Sequence, residues 1–527
     1  MKLKILSVAI LISVSCLGQN LKSGGKLKPE QAIMDIRHYA ITLDVDPEQK
    51  TINGFTEIDL VLSQATDVLL FDLVNLLKVD KAIVNGKEQK FTHENDLIRI
   101  TSRVPAGKAK VRISYGGKPG ESERAPWIGG FTWAKDSLGR PFVAITCQGE
   151  GAKIYFPCKD HPSDEPNEGA ALNITVPKGL YVAGPGLLKS VNTKGNKTTY
   201  NWKTNYTISN YCILFNVGNY KVVSRPYTTI DGNKVPMEFY VLDYHEKKAK
   251  RHLELFEQSA RILEKYFGEY PWVKEKMAIC ETPHLGMEHQ TLNAYGNQFR
   301  YQNVNGKDFD WLLHHEFGHE WWANKVTNVD WADMWIQEGI CTYGDAMFFR
   351  DVAGEEAYQQ RMAQTAMRTE NKKPVVQGKD LDTDQVYIGD IYGKGAFFMH
   401  TLRYVIGDEI FFPTLKKLAT DPKYTYDNFV STDDVEKLFS TASGKDLKPL
   451  FDFYLRTINK LDVIVKQIDD KKYRVTASNF DMDLPLEVVT DKGSQKITLN
   501  KTGTVVESAS MPVIDPKVFY LKRVIYE

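Results

Sequence analysis

Cysteine is scarce: the chain has six in 527 residues, and no two of them form a CxxC pair. Disulfide scaffolds are cysteine-dense, and thiolate zinc sites use closely spaced pairs, so both are excluded. A single bridge is conceivable in an oxidising compartment, but spacing does not identify it. An excess of one charge is also missing. Lys+Arg and Asp+Glu are each 67, which removes the basic surplus that a nucleic-acid binder needs. Beyond the first residues no stretch is long and apolar enough to span a bilayer. There is no internal repeat, no low-complexity linker, no GxSxG elbow and no Walker loop. Ala183-Gly184-Pro185-Gly186 reads as a turn rather than a phosphate cradle.

What remains is an ordinary globular composition, 42% hydrophobic and 25% charged, too long for one core and suited to roughly two to four domains. The N-terminus looks like an export signal over residues 1–18. Lys2 and Lys4 precede an apolar run from Ile5 to Val14, and the small residues Cys16 and Gly18 favour cleavage before Gln19. The protein is therefore expected in the periplasm or outside the cell. Lipid attachment at Cys16 is the rival, weakened by Ser13 where a lipobox usually carries Leu.

Alternation over Tyr39, Ile41, Leu43 and Val45, again over Ile58, Leu60 and Leu62, and again over Val111, Ile113 and Tyr115 predicts strands. Residues 30–223 are thus expected to form an antiparallel β domain. From His245 to Phe267 the apolar residues fall at helical spacing, stopped by Gly268 and Pro271. Residues 224–458 read as a mainly α catalytic domain, and 459–527 as a small β sandwich. The fold class is multidomain α+β.

The strongest chemical signal is His314-His315-Glu316-Phe317-Gly318-His319, in a helical segment that Asp308 or Asp310 can cap. His315 and His319 are four apart and share a face, as two nitrogen ligands of one zinc ion require. Glu316 is next round the helix, close enough to reach a water at the metal without ligating. His314 points about 100° away from His315 and reads as a packing residue. A catalytic zinc needs a third protein ligand and an open position. Glu338, nineteen residues after His319, opens what looks like a second helix able to return to the metal.

These residues resemble the zinc aminopeptidases of peptidase family M1, whose pattern is HExxH, eighteen residues, then Glu. His315 to Asn324 reads HEFGHEWWAN, Trp331 to Tyr343 reads WADMWIQEGICTY, Leu285 to His289 reads LGMEH, Ile391 to Gly395 reads IYGKG, and the segment from Gln148 to Asp160 ends in FPCKD. Together they span most of residues 35 to 457. The resemblance implies one zinc ion per chain on His315, His319 and Glu338, and a thermolysin-like catalytic domain. It implies Glu316 as general base and Tyr392 as hydrogen-bond donor to the oxyanion. Tyr387 would line the same cleft. Glu288 would bind the free α-amine of a peptide substrate, and Gly286 and Met287 would run along its backbone as an edge strand. Leu285 and His289 depart from the family's GxMEN.

Many relatives supply a second amine-binding Glu from the N-terminal domain. Alignment on Pro157-Cys158 puts Gln148 there, with Glu150 two residues on as the other candidate. The long helical C-terminal domain of larger relatives has no counterpart in this sequence. The expected partners are peptides with a free N-terminus. The oligomeric state stays open. The alternatives are a related zinc hydrolase acting on epoxides and a non-catalytic binding or scaffold protein. Intact His315, Glu316, His319, Glu338 and Tyr392 argue against the second.

Overall fold

The computed structural model describes residues 21–527; the expected export signal lies outside the described residues. Alternating burial along Met34–Asp46 and Thr51–Leu62 lets one face of these strands pack while the other meets solvent. They form the centre of an eight-stranded sheet whose flanks include Gly107–Gly117 on one side and Ala170–Pro177 on the other. The sheet is not wholly antiparallel as expected. Tyr39–Asp44 pairs in parallel with Ala170–Thr175. The partners are about 130 residues apart, so no hairpin turn fixes their direction. A smaller sheet includes Gly130–Lys135 and Pro141–Thr146, and the turn directly after Pro141–Thr146 carries Gln148.

The catalytic region opens with a five-stranded sheet ordered Tyr220–Thr228, Lys234–Leu242, Met277–Glu281, Asn293–Tyr295 and Gly286–Met287. Its first strand runs across the expected boundary at 223/224. Gly286–Met287 is an edge strand, antiparallel to Asn293–Tyr295.

Four helices build the site. Helix α1 (Glu246–Phe267) buries Leu253, Phe256, Ala260, Leu263 and Phe267, and stops at Gly268, where φ is 90°. Helix α2 (Trp311–Gly318) carries the HExxH residues. Helix α3 (Trp335–Arg368) brings Glu338 in its first turn and kinks at Gly354. Helix α4 (Gly393–Ile406) begins directly after Tyr392. The C-terminal region packs a four-stranded sheet with a three-stranded one, the expected small sandwich. All five described cysteines are buried and free, and no described helix is long and apolar enough to cross a membrane.

Candidate active site

Helix α2 starts at Asp310, whose carboxylate accepts the Leu313 N–H at 3.2 Å. The same carboxylate is gripped by the Tyr295 hydroxyl at 2.6 Å and the Asn297 amide at 2.8 Å, which ties the start of α2 to the catalytic sheet. Of the two expected caps, Asp310 is therefore the one used; Asp308 pairs with Arg251.

Three lone-pair atoms converge in the cleft. Nε2 of His315 and of His319 lie 3.3 Å apart. Glu338 Oε2 faces them at 3.6 and 3.3 Å. The outer ring nitrogens are already committed. His319 Nδ1 donates to the Trp322 carbonyl at 2.7 Å, and His315 Nδ1 to Asp345 Oδ2 at 3.1 Å. Those bonds leave each Nε2 as the free base turned inward. Glu338 Oε2 is buried and accepts no hydrogen bond among the described residues, an expensive arrangement unless a cation satisfies it. A tetrahedral zinc with bonds of about 2.0–2.1 Å holds its ligand atoms roughly 3.3–3.4 Å apart, so spacing and donor chemistry fit that ion. Cys341 also lies within 4.8 Å of the imidazoles, but its thiol donates to the His315 carbonyl at 3.0 Å. That places it behind the helix rather than among the ligands.

Two glycines permit this convergence. A Cβ on Gly339 would sit 2.8 Å from the Gly395 Cα, and one on Gly395 would sit 2.9 Å from the Gly339 Cα. Helices α3 and α4 thus cross backbone to backbone beside Glu338 and Tyr392. The crossing lets the Tyr392 hydroxyl donate to Glu338 Oε1 at 2.9 Å. Tyr387 hydrogen-bonds Tyr392, hydroxyl to hydroxyl, at 2.8 Å. Gly286 is similarly constrained, since a Cβ there would meet Glu316 Oε1 at 2.6 Å. The edge strand can therefore lie against the Glu316 carboxylate.

Burial pushes the Glu316 carboxyl up to about 8; His315 opposes this and Glu288 adds to it. Burial disfavours ionisation of Glu338 too, but His319 and His315 hold it down to about 2. Glu288 is 3% exposed. It accepts from Gln148 Nε2 at 2.5 Å and from the Tyr211 hydroxyl at 2.9 Å, both neutral donors. Burial raises its pKa, while the neighbouring His319 lowers it. A cavity of about 180 Å³ joins these groups, lined among others by Gly286, Met287, Glu288, Glu316, Trp127 and Trp311.

Of the two candidates for a second amine contact, Gln148 touches Glu288, and its Oε1 lies 3.3 Å from the Tyr387 hydroxyl oxygen. Glu150 does not reach the cleft. Residues 148–150 form a turn rather than a strand, so the alternation that would have aimed both side chains alike does not apply. Glu150 instead accepts the Gly129 N–H at 2.7 Å and props the loop bearing Trp127 at the rim. His314 is buried, packs against Phe309 and Phe348, and contacts the Gly344 carbonyl at 3.3 Å, away from the facing Nε2 atoms of His315 and His319.

Sequence reasoning missed Asp345, Tyr211 and Glu320. Asp345 had a signal: it lies seven residues after Glu338, on the same face of α3. Glu320, wholly buried, had none. Its carboxylate accepts from Trp272 Nε1 at 2.7 Å, Asn324 Nδ2 at 3.2 Å, the Thr291 N–H at 2.9 Å and Asn293 Nδ2 at 3.3 Å. It thereby locks the end of helix α2 to the loop following Glu288.

A β domain leading into a helical domain with a His-His-Glu centre defines the architecture of a zinc metallopeptidase. The Peptidase M1 N-terminal domain matches residues 36–212, and the Peptidase family M1 domain matches residues 247–454; the chain belongs to peptidase family M1. It is 23% identical to tricorn protease-interacting factor F2 of Thermoplasma acidophilum, over 91% of this chain and 61% of that protein. It is 23% identical to a leucyl aminopeptidase of Saccharolobus solfataricus, over 79% and 53% of the two chains. The chain thus spans only about half to three-fifths of the length of these relatives. In fold it is similar to an M1 zinc metallopeptidase of Deinococcus radiodurans, with a TM-score of 0.69 and 20% identity, covering 83% of this chain and 96% of that one. Another structure of that enzyme, a mutant form, is described as bound to a Tyr-Ser-Ala substrate.

Proposed function

We propose that this protein is a zinc aminopeptidase that removes N-terminal residues from peptides, with His315, His319 and Glu338 holding the metal. A zinc ion there supplies Lewis acidity to a carbonyl oxygen and lowers the pKa of water toward ~7. Glu316 accepts the proton of the attacking water and passes it to the leaving amine. The Tyr392 hydroxyl, steadied by Tyr387, donates to the oxyanion as charge develops. The open edge of Gly286–Met287 offers main-chain groups to an extended peptide, as β-augmentation requires.

The observation that carries the exopeptidase reading is Glu288. It is a buried carboxylate with two neutral donors and no Lys or Arg partner among the described residues. A substrate ammonium completes it, and every peptide with a free N-terminus supplies one next to its first peptide bond. The test is a double comparison. Glu288→Gln removes a charge-assisted bond of about 1.5–3 kcal/mol, a loss of roughly 10- to 150-fold in kcat/KM. N-acetylation of the substrate removes the other half of the same bond. The two losses should therefore not add. Independent, additive effects would move the amine anchor elsewhere.

We also propose that the enzyme works outside the cytoplasm, on the strength of residues 1–18. Retention in the cytoplasmic fraction of its host would refute this.

A further inference from the structure

Behind the amine end of the cleft, residues Lys22 to Gly25 cross from the N-terminal domain to the catalytic domain. Ser23 is 3% exposed and is held on three sides. Its N–H is shared between the Gly149 carbonyl at 2.8 Å and Thr383 Oγ1 at 3.1 Å. Its carbonyl accepts the Thr383 N–H at 3.1 Å. Its hydroxyl donates to Asp160 Oδ1 at 3.1 Å. On either side of it, Lys153 Nζ donates to the Lys22 carbonyl at 2.6 Å and the Gly25 N–H to the Leu381 carbonyl at 3.1 Å. Gly24 has φ +79°, and a Cβ there would lie 2.2 Å from Trp331 Cδ1. Only glycine fits this path.

The two segments so joined are those that carry the amine-side groups. Gly149 follows Gln148 directly. Thr383 starts the turn of helix Thr383–Val386, and its carbonyl accepts the Tyr387 N–H at 3.0 Å. Ser23, Gln148, Tyr211 and Trp331 enclose a gap of only about 10 Å³, barely enough for one water. Displacement of Ser23 is therefore passed on rather than absorbed.

We propose that residues 22–25 are a positioning strap for the amine site. Ser23 and Gly24 set the registry of Gln148 and Tyr387 against Glu288 and Glu338, although neither of them lines the cleft. This rests on the aminopeptidase reading. It is tested in the full chain with Ser23→Ala and Gly24→Val. Lys26→Ala serves as control, because that residue is exposed just beyond the strap and its side chain makes no hydrogen bond or ion pair among the described residues.

Two readouts separate positioning from simple stability. One is the KM and kcat of an aminoacyl arylamide. The other is calorimetric binding of L-leucinamide, which needs no turnover. With zinc content unchanged, the two strap variants should raise KM and weaken leucinamide binding by about tenfold, the effect of misplacing one charge-assisted bond. kcat should move less than KM, and the control should match wild type. The Ser23→Ala effect should largely vanish on a Gln148→Ala background. Wild-type KM and leucinamide affinity in Ser23→Ala would overturn the proposal, even if its Tm fell; that variant decides if Gly24→Val does not fold. Failure of the wild-type chain to bind leucinamide would strike the aminopeptidase reading itself, a distinct result.

Discussion

Gly395→Ala adds one methyl group at the crossing of α3 and α4. The new Cβ would sit 2.9 Å from the Gly339 Cα, whereas carbon atoms rest at about 3.5–4.0 Å. The helices must part by roughly 0.6–1 Å, and neither contact atom is a side chain able to swing aside. Overpacking of this kind costs about 1–3 kcal/mol. The larger effect falls on geometry. Tyr392 immediately precedes α4, and Glu338 neighbours Gly339, so the 2.9 Å bond between them would stretch past the useful hydrogen-bond range. A displacement near 1 Å in a catalytic constellation can cost about 10²-fold. The variant should therefore fold with a lowered Tm, and its kcat should fall by about 10²-fold. Steady-state kinetics beside calorimetry would measure both. Wild-type Tm and kcat together would refute the claim that this glycine contact sets the site.

Glu316→Gln keeps size and helix but cannot accept a proton; zinc content should stay near one per chain while kcat falls by at least ~10². Tyr392→Phe should also retain zinc and lose kcat more than KM, because its bond strengthens in the transition state; a raised KM at unchanged kcat would contradict that role. Acid should destabilise the fold through His252 and His400, which burial holds down to about 3 against about 6.5 when unfolded. Their contribution is complete above about pH 6.5 and is lost progressively toward pH 3. At pH 5, unfolding takes up about two protons on their account, a slope near 2.7 kcal/mol per pH unit. Tm measured across pH 7 to 5 should fall less steeply in His400→Gln; an unchanged slope would reject the assignment.

The facing of His315 and His319 was legible because helical periodicity alone puts both on one face, and the approach of Tyr387, Tyr392 and Glu288 to the same cleft was legible through the company of their motifs. The choice between Gln148 and Glu150 was not. It depends on residues 148–150 being a turn, and on the Gly129 N–H lying where it can donate to Glu150. Glu320 carried no signal because its four donors come from scattered positions that only the fold assembles. The parallel pairing of Tyr39–Asp44 with Ala170–Thr175 was hidden for the same reason, since no local turn specifies a partner so distant in sequence. The Lys22–Gly25 strap left no trace in the sequence either, because the closeness of Trp331 to Gly24 exists only in the fold.

The most direct measurement is a zinc titration of the chelated, purified chain, with turnover followed on two matched substrates: an aminoacyl arylamide with a free amine, and its N-acetyl form. A zinc aminopeptidase should regain full activity on the free-amine substrate at about one zinc per chain and stay nearly inactive on the acetylated one throughout. Activity that survives chelation, or equal cleavage of the two substrates at saturating zinc, would contradict it.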